Sequence, residues 1–138
     1  MFDYFEDEGL NNLIWVWTTQ TKDEAFYTGD EYVDIIGRDI YHMTKTDDLV
    51  NQFRQIQDAY PAKMVTLSEF GDIGSFQTQW NAGAKWSYFM PWYDHKRTLS
   101  TTSTDFESHE HEHASIQWWS DAFESEAVIS LDEMPNLK

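Results

Sequence analysis

The chain has 138 residues, enough for one domain, and 41% of them are hydrophobic, enough to build a core. Nine Lys and Arg against 25 Asp and Glu give a formal net charge of −16, a field that repels phosphate backbones and argues against a nucleic-acid partner. There is no cysteine, so disulfides and thiolate metal sites are excluded, and no apolar run approaches the length of a membrane span.

In chain order, residues 2–8 have Phe2 and Phe5 at helical spacing, with Gly9 as the stop. The start is acidic and lacks the basic n-region of a signal peptide. Residues 12–17, rich in β-branched and aromatic side chains, predict a buried first strand, followed by a polar loop over 18–31. A second strand is predicted over 32–37, continuing to Tyr41. Thr46-Asp47-Asp48 has the composition of a helix start, Leu49, Phe53, Ile56 and Tyr60 form one helical stripe, and Pro61 closes it.

Residues 63–71 form a short apolar run ending in Glu69 and Gly71, which predicts a third strand with a carboxylate at its C-terminal end. Strict alternation places Val65, Leu67 and Glu69 on one face. A short helix over 75–81, a fourth strand over 85–92, a long polar loop over 93–113 and a helix over 114–125 with Ile116, Trp119 and Phe123 inward complete the chain. An irregular tail follows. Strands alternating with crossovers argue a parallel sheet of βα units.

Each predicted strand ends in residues suited to binding or chemistry: Trp15 and Trp17, then Asp39 and Tyr41, then Glu69, then Trp92. In a parallel barrel these ends converge on one face. A nucleophilic glutamate beside a phenol, with indole platforms nearby, suits a retaining glycosidase. The plain alternative for Glu69 is a solvated strand-end residue, and Trp15 and Trp86 are expected to fill the barrel interior. The 7 Trp and 7 Tyr fit a site that stacks sugar rings as well as an ordinary core. His109-Glu110-His111-Glu112-His113 lacks the helical spacing of zinc hydrolases and reads as a solvated loop. Neither metal nor cofactor is expected.

The segment from Tyr32 to Tyr41, Leu67-Ser68-Glu69-Phe70-Gly71, Trp86 to Asp94, and Ile116-Gln117-Trp118-Trp119 together resemble glycoside hydrolase family 26, the β-mannanases. The resemblance implies an α/β fold, the C-terminal half (strands five to eight) of a (β/α)8 TIM barrel, with residues 1–138 a single partial catalytic domain. It implies retaining cleavage of β-1,4-mannan or a related polysaccharide and a secreted or periplasmic location. Glu69 matches the nucleophile, Tyr41 the tyrosine bonded to it and Trp92 the indole under the sugar. Asp39 and Trp17 are further candidates for substrate binding. The family's general acid/base lies on strand four, which has no counterpart here, and Asp72, Asp94, Glu110 and Glu112 are poor stand-ins. A companion N-terminal half-barrel or self-association is therefore expected. The alternative function is a non-catalytic glycan-binding or structural half-barrel.

Overall fold

A computed structural model describes residues 1–20 and 22–136. Four strands, β1 (Val16–Thr19), β2 (Ile35–Tyr41), β3 (Met64–Gly71) and β4 (Phe89–Pro91), form one sheet in the order β1-β2-β3-β4. Every neighbouring pair is parallel. The helices are α1 (Phe2–Asp7), α2 (Thr46–Ala59), α3 (Phe76–Asn81), α4 (Thr104–Ser108) and α5 (Ile116–Phe123). Sequential order, parallel strands and crossovers between them make an open sheet with half the strands of an eight-stranded barrel.

The core lies between the sheet and its helices. Ile36, Ile40, Val65, Leu67 and Phe70 pack with Leu49, Val50, Phe53 and Ile56 of α2, all 5% exposed or less. The predicted stripe on α2 is thus the buried one, with Tyr60 partly buried just past its end. Arg38, on the same face of β2, donates from Nη2 to Gln52 of α2 and from Nη1 to the Thr19 carbonyl at 3.2 Å.

The opposite, inner face of the sheet is less covered. Val16, Ile35 and Met64 lie in one register row, and Val16 and Met64 are 40% and 58% exposed. Tyr88 and Met90 flank the outward-packed Phe89 and are also exposed.

Several expected boundaries move. The first strand starts at Val16, not Asn12, and is only partly buried: Val16 is 40% exposed, since an edge strand has a neighbour on one side only. The fourth strand is three residues long, because the chain at Trp86 turns inward beneath α2, where the indole meets Phe53 edge-on and donates to Gln79. Trp86 therefore fills the sheet–helix core, and Trp15 packs on Phe2 and Phe5 of α1; neither fills a barrel interior. The polar loop before α5 contains α4. On α5 the inward residues are Trp118, which packs on Phe70 and donates to the Gly74 carbonyl, Ala122 and, as expected, Trp119, which packs against the core beside Phe89. Ile116 and Phe123 are exposed, with Trp119 stacked on Phe123.

Candidate functional site at the strand ends

A register shift in β3 shapes this site. Gly37 pairs with Thr66, but Asp39 pairs with Glu69, so β3 spends one residue more than β2 over the same span. Such a bulge interrupts the alternation of side chains. Val65 and Leu67 stay on the helix-covered face, whereas Ser68 and Glu69, consecutive in sequence, both reach the inner face. The expectation that Glu69 shares a face with Val65 and Leu67 is corrected on this ground.

Close approach of the strands is possible only because residue 37 is glycine. A Cβ there would lie 2.5 Å from Ser68 Oγ and 2.8 Å from Thr18 Oγ1. These two hydroxyls are 3.2 Å apart, and Ser68 Oγ donates to Asp39 Oδ1 at 3.1 Å. Gln20 Nε2 donates to Asp39 Oδ2 at 3.2 Å. Asp39 is thus held by two donors beside Glu69, in a row of small polar side chains that the sequence reading did not single out.

At the C-terminal end of the row, the Tyr41 hydroxyl donates to Glu69 Oε1. Burial, and then the hydrogen bond to Glu69 and the negative charges of Glu69 and Asp39, push the Tyr41 phenol well above its ordinary range. Tyr41 therefore stays protonated and donates to the carboxylate at any physiological pH. A Cβ on Gly71 would lie 2.7 Å from Tyr41 Cδ1, so the ring rests directly on the β3 backbone. Beyond it His42 and Asp72, both with left-handed backbone (φ 51° and 52°), pair across the two strand ends at 3.1 Å.

Trp92 follows β4 directly, and its N–H donates to the Phe70 carbonyl at 2.8 Å. Alternation from the outward Phe89 places Trp92 on the inner side, 40% exposed. It borders a cavity of about 350 Å³ shared with Tyr93, Asp94, Arg97, Phe106 and His111. A larger apolar cavity of about 520 Å³, between Trp80, Phe89, Phe123 and Val128, carries no carboxylate and lies behind the sheet.

Trp17 is not brought to this group. Thr18 occupies the inner face, so its neighbour Trp17 points the other way, into a cluster with Tyr27 (5.0 Å between rings) and Tyr60 (5.9 Å). The strand also runs two residues past it, to Thr19, so Trp17 is not at the strand's C-terminal end.

The histidine-rich stretch is no solvated loop. His109 Nε2 meets Asp94 Oδ1 at 3.3 Å, and Arg97 Nε donates to Asp94 Oδ2 at 3.1 Å. Arg97 also donates to the carbonyls of Phe106 and His109, and Lys96 pairs with Glu112 at 2.8 Å. Burial by itself would raise the Asp94 carboxyl, but the His109 bond and the charges of His109, His111 and Arg97 outweigh it and hold it below its ordinary value. Burial, chiefly, lowers His111 and favours its neutral ring. His113 reaches the Tyr41 ring edge-on, 6.1 Å between centroids. Among the described residues no group of three or more His, Asp or Glu is arranged to hold a metal ion.

Known proteins share this arrangement of elements. The sequence pattern of glycosyl hydrolase family 26 matches residues 1–120. Mannan endo-1,4-beta-mannosidase B from Piromyces sp is 35% identical over 132 residues, 93% of this chain and 20% of the relative. The GH26 domain of an endo-beta-mannanase/endo-beta-glucanase from Prevotella bryantii superposes with a TM-score of 0.78 at 36% identity, over 96% of this chain and 38% of that one. A beta-mannanase from a symbiotic protist of the termite Reticulitermes speratus, complexed with gluco-manno-oligosaccharide, superposes with a TM-score of 0.68 at 34% identity, over 97% of this chain and 39% of that one. The chain spans about a fifth of the length of the curated mannosidase it matches and under two fifths of these solved chains.

Proposed function

Because this chain belongs to glycoside hydrolase family 26, we propose that it is the nucleophile-bearing, C-terminal half of a retaining endo-β-1,4-mannanase. The observation that carries the reading is the Tyr41–Glu69 hydrogen bond at the C-terminal rim of a parallel sheet, with Asp39 in register beside it. Glu69 Oε attacks the anomeric carbon of the mannosyl unit, and Tyr41 holds the carboxylate in line by bonding its other face. Trp92 supplies an apolar platform for the sugar ring. Asp39, locked by Ser68 and Gln20, offers its remaining lone pairs to a sugar hydroxyl.

Retention requires a second carboxyl group about 5–5.5 Å from the nucleophile, across the scissile bond. Asp39 lies beside Glu69 on the neighbouring strand rather than across from it. Asp94 is occupied by Arg97 and His109, Glu112 by Lys96, and Asp72 by His42. The general acid/base therefore comes from elsewhere in the completed barrel. Four further strands closing on the exposed inner face would cover Val16, Met64, Tyr88 and Met90 and bring that group across from Glu69. The substrate is a β-mannan or related polysaccharide, and the site of action is extracellular or periplasmic. Among the described residues no helix is long and apolar enough to cross a membrane.

A 2-deoxy-2-fluoro-mannosyl fluoride tests the nucleophile directly, since fluoride departs with the bonding pair and needs no acid. Mass spectrometry of the chain, mixed with a half-barrel carrying the acid glutamate, should find the sugar ester on Glu69. An adduct on another carboxylate, or none, would overturn the assignment.

A further inference from the structure

We infer that His113 is a positioning residue: its ring, wedged against the Tyr41 ring and the Gly71 backbone, holds the Tyr41 phenol on Glu69. The inference rests on the reading of Glu69 as nucleophile. Tyr41 reaches the carboxylate from the neighbouring strand across an open rim, and β2 ends at Tyr41 itself. Its ring lies against Gly71, and the His113 ring meets it there edge-on, at an interplanar angle of 83°. A Cβ on Gly71 would lie 2.9 Å from His113 Nδ1, so the imidazole and phenol crowd the same glycine.

The backbone presents His113 at this spot from a long way along the chain. The Asp72 N–H donates to the His113 carbonyl at 3.0 Å, which ties the segment to the residue following β3. The His113 N–H donates to His111 Nδ1 at 3.1 Å. The Asp94–Arg97–His109 cluster braces the approach to it. His113 Nδ1 is itself buried with no hydrogen-bond partner among the described residues. The ring therefore meets Tyr41 and Gly71 along its Nδ1 edge by shape and not through a hydrogen bond. Without it the phenol gains room to swing toward solvent, and small misplacements of a positioned group cost rate steeply.

The test uses the full chain and two readouts. The first follows Tyr41 by 13C NMR of the tyrosine Cζ atoms from pH 7 to 12, assigned with Tyr41→Phe. In His113→Ala the Tyr41 titration should move down toward the ordinary value of about 10, as water reaches the phenol, and His113→Phe should restore it. An unchanged titration in His113→Ala overturns the inference whether or not Glu69 is ever labelled. The second is the labelling rate of Glu69 by the fluoro-sugar in the presence of the companion half. His113→Ala should slow it about 10- to 100-fold, and the Tyr41→Phe/His113→Ala double variant should be no slower than the worse single. Additive losses would mean that His113 acts independently of Tyr41 and overturn the inference. If the wild-type chain takes no label, the nucleophile assignment fails and the titration alone decides on His113. Thermal unfolding of His113→Phe controls for general loss of structure.

Discussion

The two faces of the sheet are in different states of completion. On the helix side, Leu67 and Phe70 of β3 are fully buried and Phe53 of α2 is 3% exposed. On the inner side, Met64 and Met90 of β3 and β4 are more than half exposed. The finished face carries only packing; the unfinished one carries Asp39, Tyr41 and Glu69 at its rim. The proposed chemistry is therefore coupled to whatever covers the inner face, while the cohesion of the chain comes from the outer one.

The largest expected effect lies at the rim. With a companion half supplying the acid, Glu69→Ala should reduce mannan cleavage, read as reducing-sugar release, to background. Without the companion, the wild-type chain should be inactive on the polymer, because general acid assistance contributes about 10²–10⁴-fold and its loss falls on the first chemical step. Full polymer cleavage by the chain alone would break the contrast drawn between the faces.

The next effect is in stability. Leu67→Ala should cost about 2–5 kcal/mol in urea unfolding, since it opens a cavity in the sheet–helix core. Met64→Ala, at a half-exposed position, should stay within about 0.5 kcal/mol. Equal losses would show that the inner face is already packed in the free chain.

Association follows from the same exposure. The isolated chain should sediment as a dimer or larger species, as open strand edges and bare apolar side chains favour. Met64→Lys combined with Met90→Lys should raise the dissociation constant about tenfold or more, because each buried large apolar side chain contributes roughly 1.5–3 kcal/mol. A wild-type monomer with cooperative unfolding would place the sticky surface elsewhere.

The smallest effect is on pH dependence. His111 has a lowered folded value, so the stability it contributes is present above the ordinary histidine value and is lost as pH falls from there through the lowered folded value, where the half-buried neutral ring is protonated. Asp94 is also lowered, so its contribution is lost only further down, below the ordinary carboxylate range. Thermal melting from pH 8 to 3 should show two successive declines, the first flattened by His111→Asn and the second by Asp94→Asn.

Much of this was legible in the sequence, and the misses have physical causes. The helix stripe of α2 and the Glu69 strand are local patterns of period and turn residues, and both appear where those patterns place them. The residues Asp39, Tyr41 and Glu69 came from a motif, and the fold brings them to one rim. Trp17 falls outside the rim because an apolar run does not mark which parity of a strand faces inward: Thr18 meets Ser68 on the inner face, and its neighbour's indole goes to the other. The bonds of Ser68 and Gln20 to Asp39 are not legible locally, because they depend on register between residues that lie 29 and 19 positions apart. The alternating histidines read, from sequence, as a metal motif with the wrong spacing and hence as a solvated loop. Their packing against Asp94 and Tyr41 depends on contacts 15 and 72 residues away in the chain, which no local pattern reports.

The extra residue in β3 splits the strand into two segments whose alternations are out of step. Counting from Met64, odd-numbered side chains up to Leu67 go to the helices; past the bulge, even-numbered Phe70 takes their place. Deleting Ser68 would restore a continuous alternation, with Glu69 still on the inner face and Phe70 still on the helix side, and would take away the hydroxyl that bonds Asp39. The strand would be more regular, and Asp39 would keep only one of its two side-chain donors. In any grafting or recombination of this sheet, the segment from Gly37 to Tyr41 and the segment from Thr66 to Gly71 must therefore travel together, as a frame in which the irregularity is itself the information.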